Sequence, residues 1–598
     1  MLFGKHLNKF YLRYGIFFII GLIALIVVDY VQLFIPEFLG IIIKEVELPR
    51  EEMNIELINQ TIVNTILVAL AMFIGRMTWR FSVFNASQRI EAGLRHDMFL
   101  KAEKLSQRYY HGTKVGTIMA WFTTDLETVE EFFGWGFIML IDAIFLSIFA
   151  IIKLVKLDWV LSLVVALPLL LIIIWGALVE KFMALKWDAR QKAFDDLYDF
   201  SQENFTGIRV IKAFVKETQE LHAFAKVARK NQDANIDFVK TSVVFDVFIS
   251  LIISAILALL LGVGGWFAYC YMTDNPITLF GHVVALDSGL LVTFVGTFDY
   301  LIWPMMALGQ IVSMRSRAKA SMKRIENFLD EEEDIQNPVN AVKLHDVKGK
   351  ITFNNYTFNY PGTKDPSLKG ITFEINAGET IGIVGKIGSG KSTLVNSLLR
   401  MYNIEKNSIL IDDVDLMSCD IDSLREVIGY VPQDNFLFSD KVRNNIAFSN
   451  QALEYEKVEL AAKFADVHDN IIEFVDGYDT ISGERGVTLS GGQKQRLSIA
   501  RAYIKNAPIM IMDDSVSAVD VKTEETILDN IKKYRAGKTT LVIASRVSTV
   551  QHMNRILVLN DGEVEAFDTH ENLLKISPTY AKMVFLQELE KEVEGGAL

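Results

Sequence analysis

Residues 385–393, Gly-Lys-Ile-Gly-Ser-Gly-Lys-Ser-Thr, have the composition of a phosphate cradle. They follow the β-branched run Thr380–Val384 and precede Leu394–Arg400, which reads as a helix. In a strand–loop–helix order the glycines let the backbone curl, so that several N–H groups point at phosphate oxygens. The helix N-terminus adds a favourable dipole. Gly385, Gly388, Ser389, Gly390 and Thr393 belong to this cradle. Lys391 is placed to reach the β- and γ-phosphates, and the Ser392 hydroxyl suits Mg2+. Further on, Ile509-Met510-Ile511-Met512 ends in Asp513-Asp514. Four apolar residues before a carboxylate set Asp513 at the C-terminal edge of a buried strand, where it can hold the hydration shell of Mg2+. These two motifs define nucleotide binding and nothing narrower.

Between them stands Leu489-Ser490-Gly491-Gly492-Gln493, followed by KQRLSIARA over 494–502. This five-residue run, in this order and position, resembles the signature of the ABC ATPases. Other stretches resemble that family's remaining motifs. Tyr360 looks like the aromatic that stacks on adenine, Gln433 in VPQD like the Q-loop, and Glu484-Arg485-Gly486 like the short loop found before the signature in exporters. Ser517-Ala518-Val519-Asp520 looks like the D-loop. In the first half, residues 116–125 and the run ENFTGIRVIKAF over 203–214 resemble cytoplasmic loops whose coupling helices press on the ATPase domains. The resemblance covers nearly the whole chain, and it is to a half-transporter of the ABC exporter kind.

The resemblance implies ATP and Mg2+ as cofactors, with Ser392, Gln433 and Asp513 around the metal. It implies a second half-transporter subunit as partner. Two ATPase domains then face each other head to tail, and Ser490, Gly491, Gly492 and Gln493 serve an ATP held on the partner's glycine loop. At two positions the chain departs from the family pattern. The residue after the Mg2+-binding Asp is ordinarily the Glu that polarises water, and here it is Asp514. After the strand Thr539–Ala544 the usual residue is a His contacting the γ-phosphate, and here it is Ser545. The shorter carboxylate is withdrawn by about 1.5 Å, one C–C bond. A general base must lie within hydrogen-bonding reach of its proton, so the site on this chain's own glycine loop is expected to hold ATP and turn it over poorly. That pattern resembles the degenerate-site subunit of bacterial heterodimeric multidrug exporters. A homodimer with two slow sites is the alternative.

The elements that must carry this machinery divide the chain. Apolar residues make up 51% of it and mean hydropathy is +0.26, with the apolar residues concentrated in the first half. Six stretches, Gly15–Ile35, Thr61–Phe81, Phe137–Val155, Trp159–Leu178, Val243–Tyr271 and Gly289–Met314, are long enough to cross a bilayer, which takes about 20 helical residues. Backbone groups in lipid must be satisfied within the segment, so these are helices. The segment before the first, with Leu2, Phe3, Leu7, Phe10 and Tyr11 among Lys5, Lys9 and Arg13, reads as a short amphipathic helix on the membrane surface. Acidic or Lys/Arg-poor links follow spans one, three and five. The long links after spans two and four are basic (Arg89, Arg95, Lys101, Lys104; Lys181, Lys186, Arg190, Lys212, Lys230), which puts them and both termini in the cytoplasm. After Met314 the helix is expected to run on to the acidic stretch Asp330–Asp334.

The expected organisation is thus an all-α six-helix transmembrane domain over 1–330, a linker over 331–348 and an α/β nucleotide-binding domain over 349–598. The resemblance implies a RecA-like core, an antiparallel β subdomain and an α-helical subdomain in the last of these. A multi-pass protein of the plasma membrane follows, with the bilayer and a small-molecule substrate as further partners. The net charge of −13 excludes a general nucleic-acid binder, which needs a basic face. Inside the spans, Asp29, Asp142, Asp246 and Asp299, with Arg76, are functional candidates because ionisable groups in lipid are costly. If Asp29 and Asp299 line a cavity, a cationic or amphipathic substrate is favoured. Phe17, Phe18, Phe294, Phe298, Tyr300 and Trp303 can form an apolar wall or simply pack, and His111 and His552 are expected at the surface. The function expected is ATP-driven export of hydrophobic or cationic small molecules, or of lipids. An importer of exporter shape and a nucleotide-gated channel or regulatory subunit are the rivals.

Overall fold

The computed structural model describes residues 4–595 except 274, 280, 484, 485 and 518; some side chains within 167–181, at 308–309 and over 591–595 also lie outside the described residues. By internal contacts the chain forms two units, Met1–Lys101 with Gly116–Asp330, and Ala102–Val115 with Glu331–Leu598.

The first unit is built from long helices, because its apolar stretches continue at both ends into polar sequence that still lacks helix-breaking residues. Lys5–Gln32 and Phe34–Val46 are nearly continuous, followed by Ile55–Lys104, Phe137–Leu157, Trp159–Thr206, Glu217–Met272 and Ser288–Leu329. Among the described residues five helical stretches are long and apolar enough to cross a membrane. The fourth expected span lies on Trp159–Thr206, where many side chains are outside the described residues. A short hairpin, β1 (Thr278–Leu279) and β2 (His282–Val283), follows the fifth.

The N-terminal segment differs from the expectation of a separate surface helix. It is the first part of the uninterrupted helix Lys5–Gln32, with Leu7 and Phe10 buried. The Phe10 ring fills the space beside Gly93, where a Cβ would stand 2.3 Å from it. Lys5 pairs with Asp330 and Lys9 with Asp97. An apolar face with protein partners is not left over for lipid.

The second unit has a β-sheet core whose central strands are short apolar runs. Its strands are β3 (Ile351–Phe358), β4 (Leu368–Ile375), β5 (Thr380–Gly385), β6 (Ile409–Ile411), β7 (Val414–Asp415), β8 (Ile428–Val431), β9 (Ile509–Asp513), β10 (Thr539–Ile543), β11 (Arg555–Asn560) and β12 (Glu563–Asp568). Six form one sheet in the order β12-β11-β5-β10-β9-β8, parallel throughout except for the β11–β12 edge. Every residue of β9 and β10 is buried, as central strands covered on both faces require. A second, antiparallel sheet runs β4-β3-β6-β7. Between β8 and β9 the helices Val442–Ile446, Tyr455–Phe464, His468–Ile472 and Gly491–Ile504 enclose their own apolar contacts, including Leu437, Val458, Ala461 and Leu497.

Candidate nucleotide site

In an open parallel sheet, ligands bind beyond the carboxyl ends of the strands, and four neighbouring strands deliver chemistry there. Ile383 of β5 is level with Ile543 of β10, and Ile543 with Asp513 of β9. The glycine loop leaves β5, Asp513 closes β9, Ser545 follows β10 by two residues, and Gln433 follows β8 by two.

The loop's shape rests on its glycines. At Gly385 a Cβ would stand 2.3 Å from the Leu559 carbonyl and 2.6 Å from Ser389 Oγ. Gly388 has φ +83° and Gly390 φ +97°, a region that L side chains enter only with strain. Gly390 then caps the helix Lys391–Leu398. Lys391 Nζ donates to the carbonyls of Gly385 (2.8 Å) and Lys386 (3.0 Å), folding the ammonium over the loop. Burial lowers its pKa while Asp514 and Asp513 act in the opposite sense. Ser389 Oγ is buried without a hydrogen-bond partner. Ser392 hydrogen-bonds Asp513, and Thr393 Oγ1 lies 3.0 Å from the Tyr360 hydroxyl.

Asp513 is 3% exposed and its Oδ1 has no partner. Burial raises its pKa; the Ser392 hydrogen bond opposes this and the Asp514 charge adds to it. An orphaned carboxylate oxygen beside the Ser392 hydroxyl suits a hard, oxygen-seeking cation such as Mg2+. Asp514 adopts φ +44°, in the left-handed region, with its N–H donating to the Ile543 carbonyl at 3.0 Å. Its Oδ2 accepts from Ser545 Oγ at 3.4 Å, and Gln495 Nε2 donates to its carbonyl at 3.1 Å. The position of a base and the position after β10 are therefore adjacent, as the sequence expectation needs, and both carry short side chains. Gln433 is exposed, and its backbone carbonyl accepts from Asn435 Nδ2 at 3.4 Å.

Ser490, Gly491, Gly492 and Gln493 are not drawn into this arrangement. Ser490 and Gln493 close a reciprocal capping box at the N-terminus of Gly491–Ile504, at 2.9 and 3.3 Å. A Cβ at Gly491 would meet nothing within 4 Å. A capped, open helix N-terminus presents free N–H groups outward. Of the two loops beside these motifs, Glu484, Arg485 and Ala518 lie outside the described residues, and Asp520 caps the helix Val521–Tyr534 through Thr523 N–H at 3.0 Å.

Sequence reasoning missed one wall. Tyr360 is half-buried two residues beyond β3, its ring perpendicular to that of Tyr402 at 5.4 Å. A cavity of about 570 Å³ beside it is lined by Tyr402, Pro361 and Gly362 and by Arg108, His111 and Gly112. The Tyr402 hydroxyl lies 3.3 Å from His111 Nδ1. His111 is exposed, as expected, yet it stands next to the aromatic assigned to the base. The helical turn Gln107–Gly112 carries no apolar period or motif that would have flagged it.

In the membrane unit, Asp29, Arg76, Asp142 and Asp299 line one cavity, together with Tyr300 and Trp303. Asp246 is elsewhere, near Ser242. Phe294 and Phe298 belong to the buried core.

A parallel sheet carrying a glycine loop, an Asp-terminated neighbouring strand and an outward-facing Ser-Gly-Gly helix cap, fused to long membrane-crossing helices, defines an ATP-driven membrane transporter. The family descriptions "ABC transporter" and "ABC transporter transmembrane region" match residues 368–517 and 18–305. The chain is 33% identical over 581 residues to the multidrug resistance-like ATP-binding protein MdlA of Buchnera aphidicola, covering 96% of each chain. It is 32% identical over 594 residues to the probable multidrug resistance ABC transporter ATP-binding/permease protein YheI of Bacillus subtilis, covering 99% of each. An ATP-dependent lipid A-core flippase of Syntrophus aciditrophicus is 32% identical over 506 residues, 85% of this chain and 82% of the flippase. The fold of the present chain matches that of a bacterial Atm1-family ABC exporter solved with ATP bound, at a TM-score of 0.77 and 24% identity, over 97% of this chain and 99% of the other. The chain belongs to the ABC transporter family, as an exporter with transmembrane and ATP-binding domains fused, homologous to multidrug ABC exporters.

Proposed function

We propose that this chain is one subunit of a heterodimeric exporter that moves hydrophobic or cationic small molecules, or lipids, out of the cytoplasm across the plasma membrane. The names of its relatives, multidrug proteins and a lipid flippase, support that substrate range. The reading assigns residues 1–330 to transport, 331–348 to a linker and 349–598 to the cytoplasmic ATPase domain. The glycine loop, Lys391, Ser392 and Thr393 hold the phosphates, Tyr360 stacks on the base, and Ser392, Asp513 and Gln433 hold Mg2+, which when bound neutralises phosphate charge. Ser490, Gly491, Gly492 and Gln493 close over an ATP on the partner's loop, so nucleotide holds the two ATPase domains together and its hydrolysis releases them.

The observation that carries the heterodimer is the pair Asp514 and Ser545. Both stand where water must be activated on this chain's own loop, and neither has the reach of the Glu or His that the family places there. The loop and signature are intact, so this subunit holds ATP on its own site with little turnover and completes a competent site on its partner.

Steady-state ATPase of the purified full chain tests this. Without a second subunit it should run near background, and a co-expressed neighbouring half-transporter with an intact Glu should restore it. Mutating that Glu should abolish transport, whereas Asp514→Asn here should cost little. Brisk turnover by the chain alone would sink the heterodimer.

A further inference from the structure

The four ionisable side chains that share the membrane cavity come from distant parts of the sequence: Asp29 from Lys5–Gln32, Arg76 from Ile55–Lys104, Asp142 from Phe137–Leu157 and Asp299 from Ser288–Leu329. The cavity measures about 310 Å³, at the small end of ligand pockets and suited to the head of an amphiphile. Asp29 is 2% exposed; Gln32 Nε2 donates to its Oδ1 at 3.3 Å, and its Oδ2 is buried with no partner. Asp142 faces both Asp29 and the Trp303 indole. Trp79, 7% exposed, lines the same cavity, and its Nε1 is likewise buried without a partner. One oxygen of Asp29 and the Trp79 indole N–H are thus both buried at one site without a geometric hydrogen-bond partner.

Three carboxylates face one guanidinium there. The Arg76 charge acts on Asp29, Asp142 and Tyr300; Asp29 and Asp142 hydrogen-bond each other and so hold one proton between them, which leaves one guanidinium facing that shared charge and the Asp299 carboxylate. Two carboxyl groups facing each other away from water keep a shared proton unless another positive group takes its place between them, and a bound organic cation is such a group. The indoles and the phenol add π faces, which attract organic cations most strongly where water is excluded.

We propose that this cavity is a binding subsite for the positively charged head of a free lipophilic organic cation, with Asp29 and Asp142 as its counter-charges, Trp79, Tyr300 and Trp303 as its aromatic walls, and Arg76 as the internal cation it competes with. The proposal rests on the exporter reading only for the choice of ligand.

Equilibrium binding of ethidium to the full chain in lipid nanodiscs, with its partner subunit where one co-purifies, reads the subsite without ATP. Asp29→Asn and Asp142→Asn, which keep the side-chain shape, should each weaken ethidium binding tenfold or more and leave binding of the neutral dye Nile red unchanged. Arg76→Gln should do the opposite and tighten ethidium binding, a gain that mere loss of packing does not produce. Unchanged ethidium affinity in both Asn variants overturns the proposal, as does an equal loss for the neutral dye. Ethidium binding that weakens when ethanolamine-headgroup lipid replaces another zwitterionic lipid at a fixed share of phosphatidylglycerol in the nanodisc would assign the site to a lipid head instead. ATP-driven ethidium uptake into inverted vesicles is scored separately. Its absence alongside the predicted binding pattern removes the export reading and leaves the subsite standing; its presence with unaltered binding in the variants removes the subsite alone.

Discussion

A carboxylate shortened by one methylene keeps its charge and loses its reach, which makes Asp514 informative. Its backbone is held by the Ile543 carbonyl at a left-handed φ, and its side chain meets Ser545 rather than an imidazole. Restoring both lengths should restore chemistry. The double variant Asp514→Glu, Ser545→His is expected to raise phosphate release by the purified chain at saturating Mg-ATP about a hundredfold or more, within the roughly 10²–10⁴ that a positioned base contributes. No gain would mean that some other feature limits this site. Asp513 makes the complementary case. Burial raises its pKa, so between the unfolded and folded values the folded protein holds the extra proton, and its stability falls as pH rises through that window until the carboxylate is charged in both states. At neutral pH the charge is a liability that a bound cation relieves. Asp513→Asn should therefore raise the thermal midpoint of the nucleotide-free protein while removing the further rise that Mg2+ adds to ATP alone; calorimetry or dye-based melting reads both.

At the scale of elements, the strand–loop–helix of the nucleotide site was legible because each step needs particular residues. Gly390 at φ +97° would, with a Cβ, stand 2.6 Å from Leu368 Cδ2 and 2.9 Å from the Ser367 carbonyl, so the loop sequence admits few substitutes. The N-terminal segment was misjudged because amphipathic spacing is the same for a helix facing lipid and one facing protein, and only Gly93 opposite Phe10 decides. Equally illegible were the π-helical turns Trp121–Asp125 and Phe132–Gly136, which arise from tertiary demands. The first of them turns Asp125 inward, 6% exposed, where it accepts from Ser321 Oγ and Arg324 Nε, both at 2.8 Å. That contact fastens the segment to the last helix of the unit and raises the Arg324 pKa. Removing one partner of a buried pair costs about 3–5 kcal/mol; the Arg324 side chain is half exposed, so about 2 kcal/mol is expected for Asp125→Ala. Arg324→Ala should cost as much or more, since it leaves the carboxylate buried and uncompensated. The double variant should fall short of the sum, and thermal midpoints in detergent measure the coupling.

Across the whole molecule, the segment Ala102–Val115 is exceptional: it belongs by its contacts to the ATPase unit, while the chain on both sides belongs to the membrane unit. Sequence showed two long basic links and matched coupling helices to residues 116–125 and 203–214, but the turn Gln107–Gly112 was not legible, since five polar and aromatic residues and a glycine carry no period. Its His111 meets Tyr402, whose ring meets Tyr360. The residue assigned to the nucleotide base is therefore one ring away from a piece of chain whose ends continue into membrane helices. A role in coupling, as against catalysis, predicts a particular split. His111→Ala should leave ATP affinity within a few-fold of the parent, because Tyr360 and the glycine loop remain. It should lower the substrate moved per ATP hydrolysed by the assembled transporter, because occupancy of the base site is no longer felt by residues 107–112. Tyr402→Phe, which keeps the ring and removes the hydroxyl, should reproduce the loss in part. Parallel assays of nucleotide binding, phosphate release and vesicle uptake on the same preparations decide it: equal falls in all three make His111 a packing residue, and a fall in uptake alone makes the turn part of the coupling between nucleotide and transport.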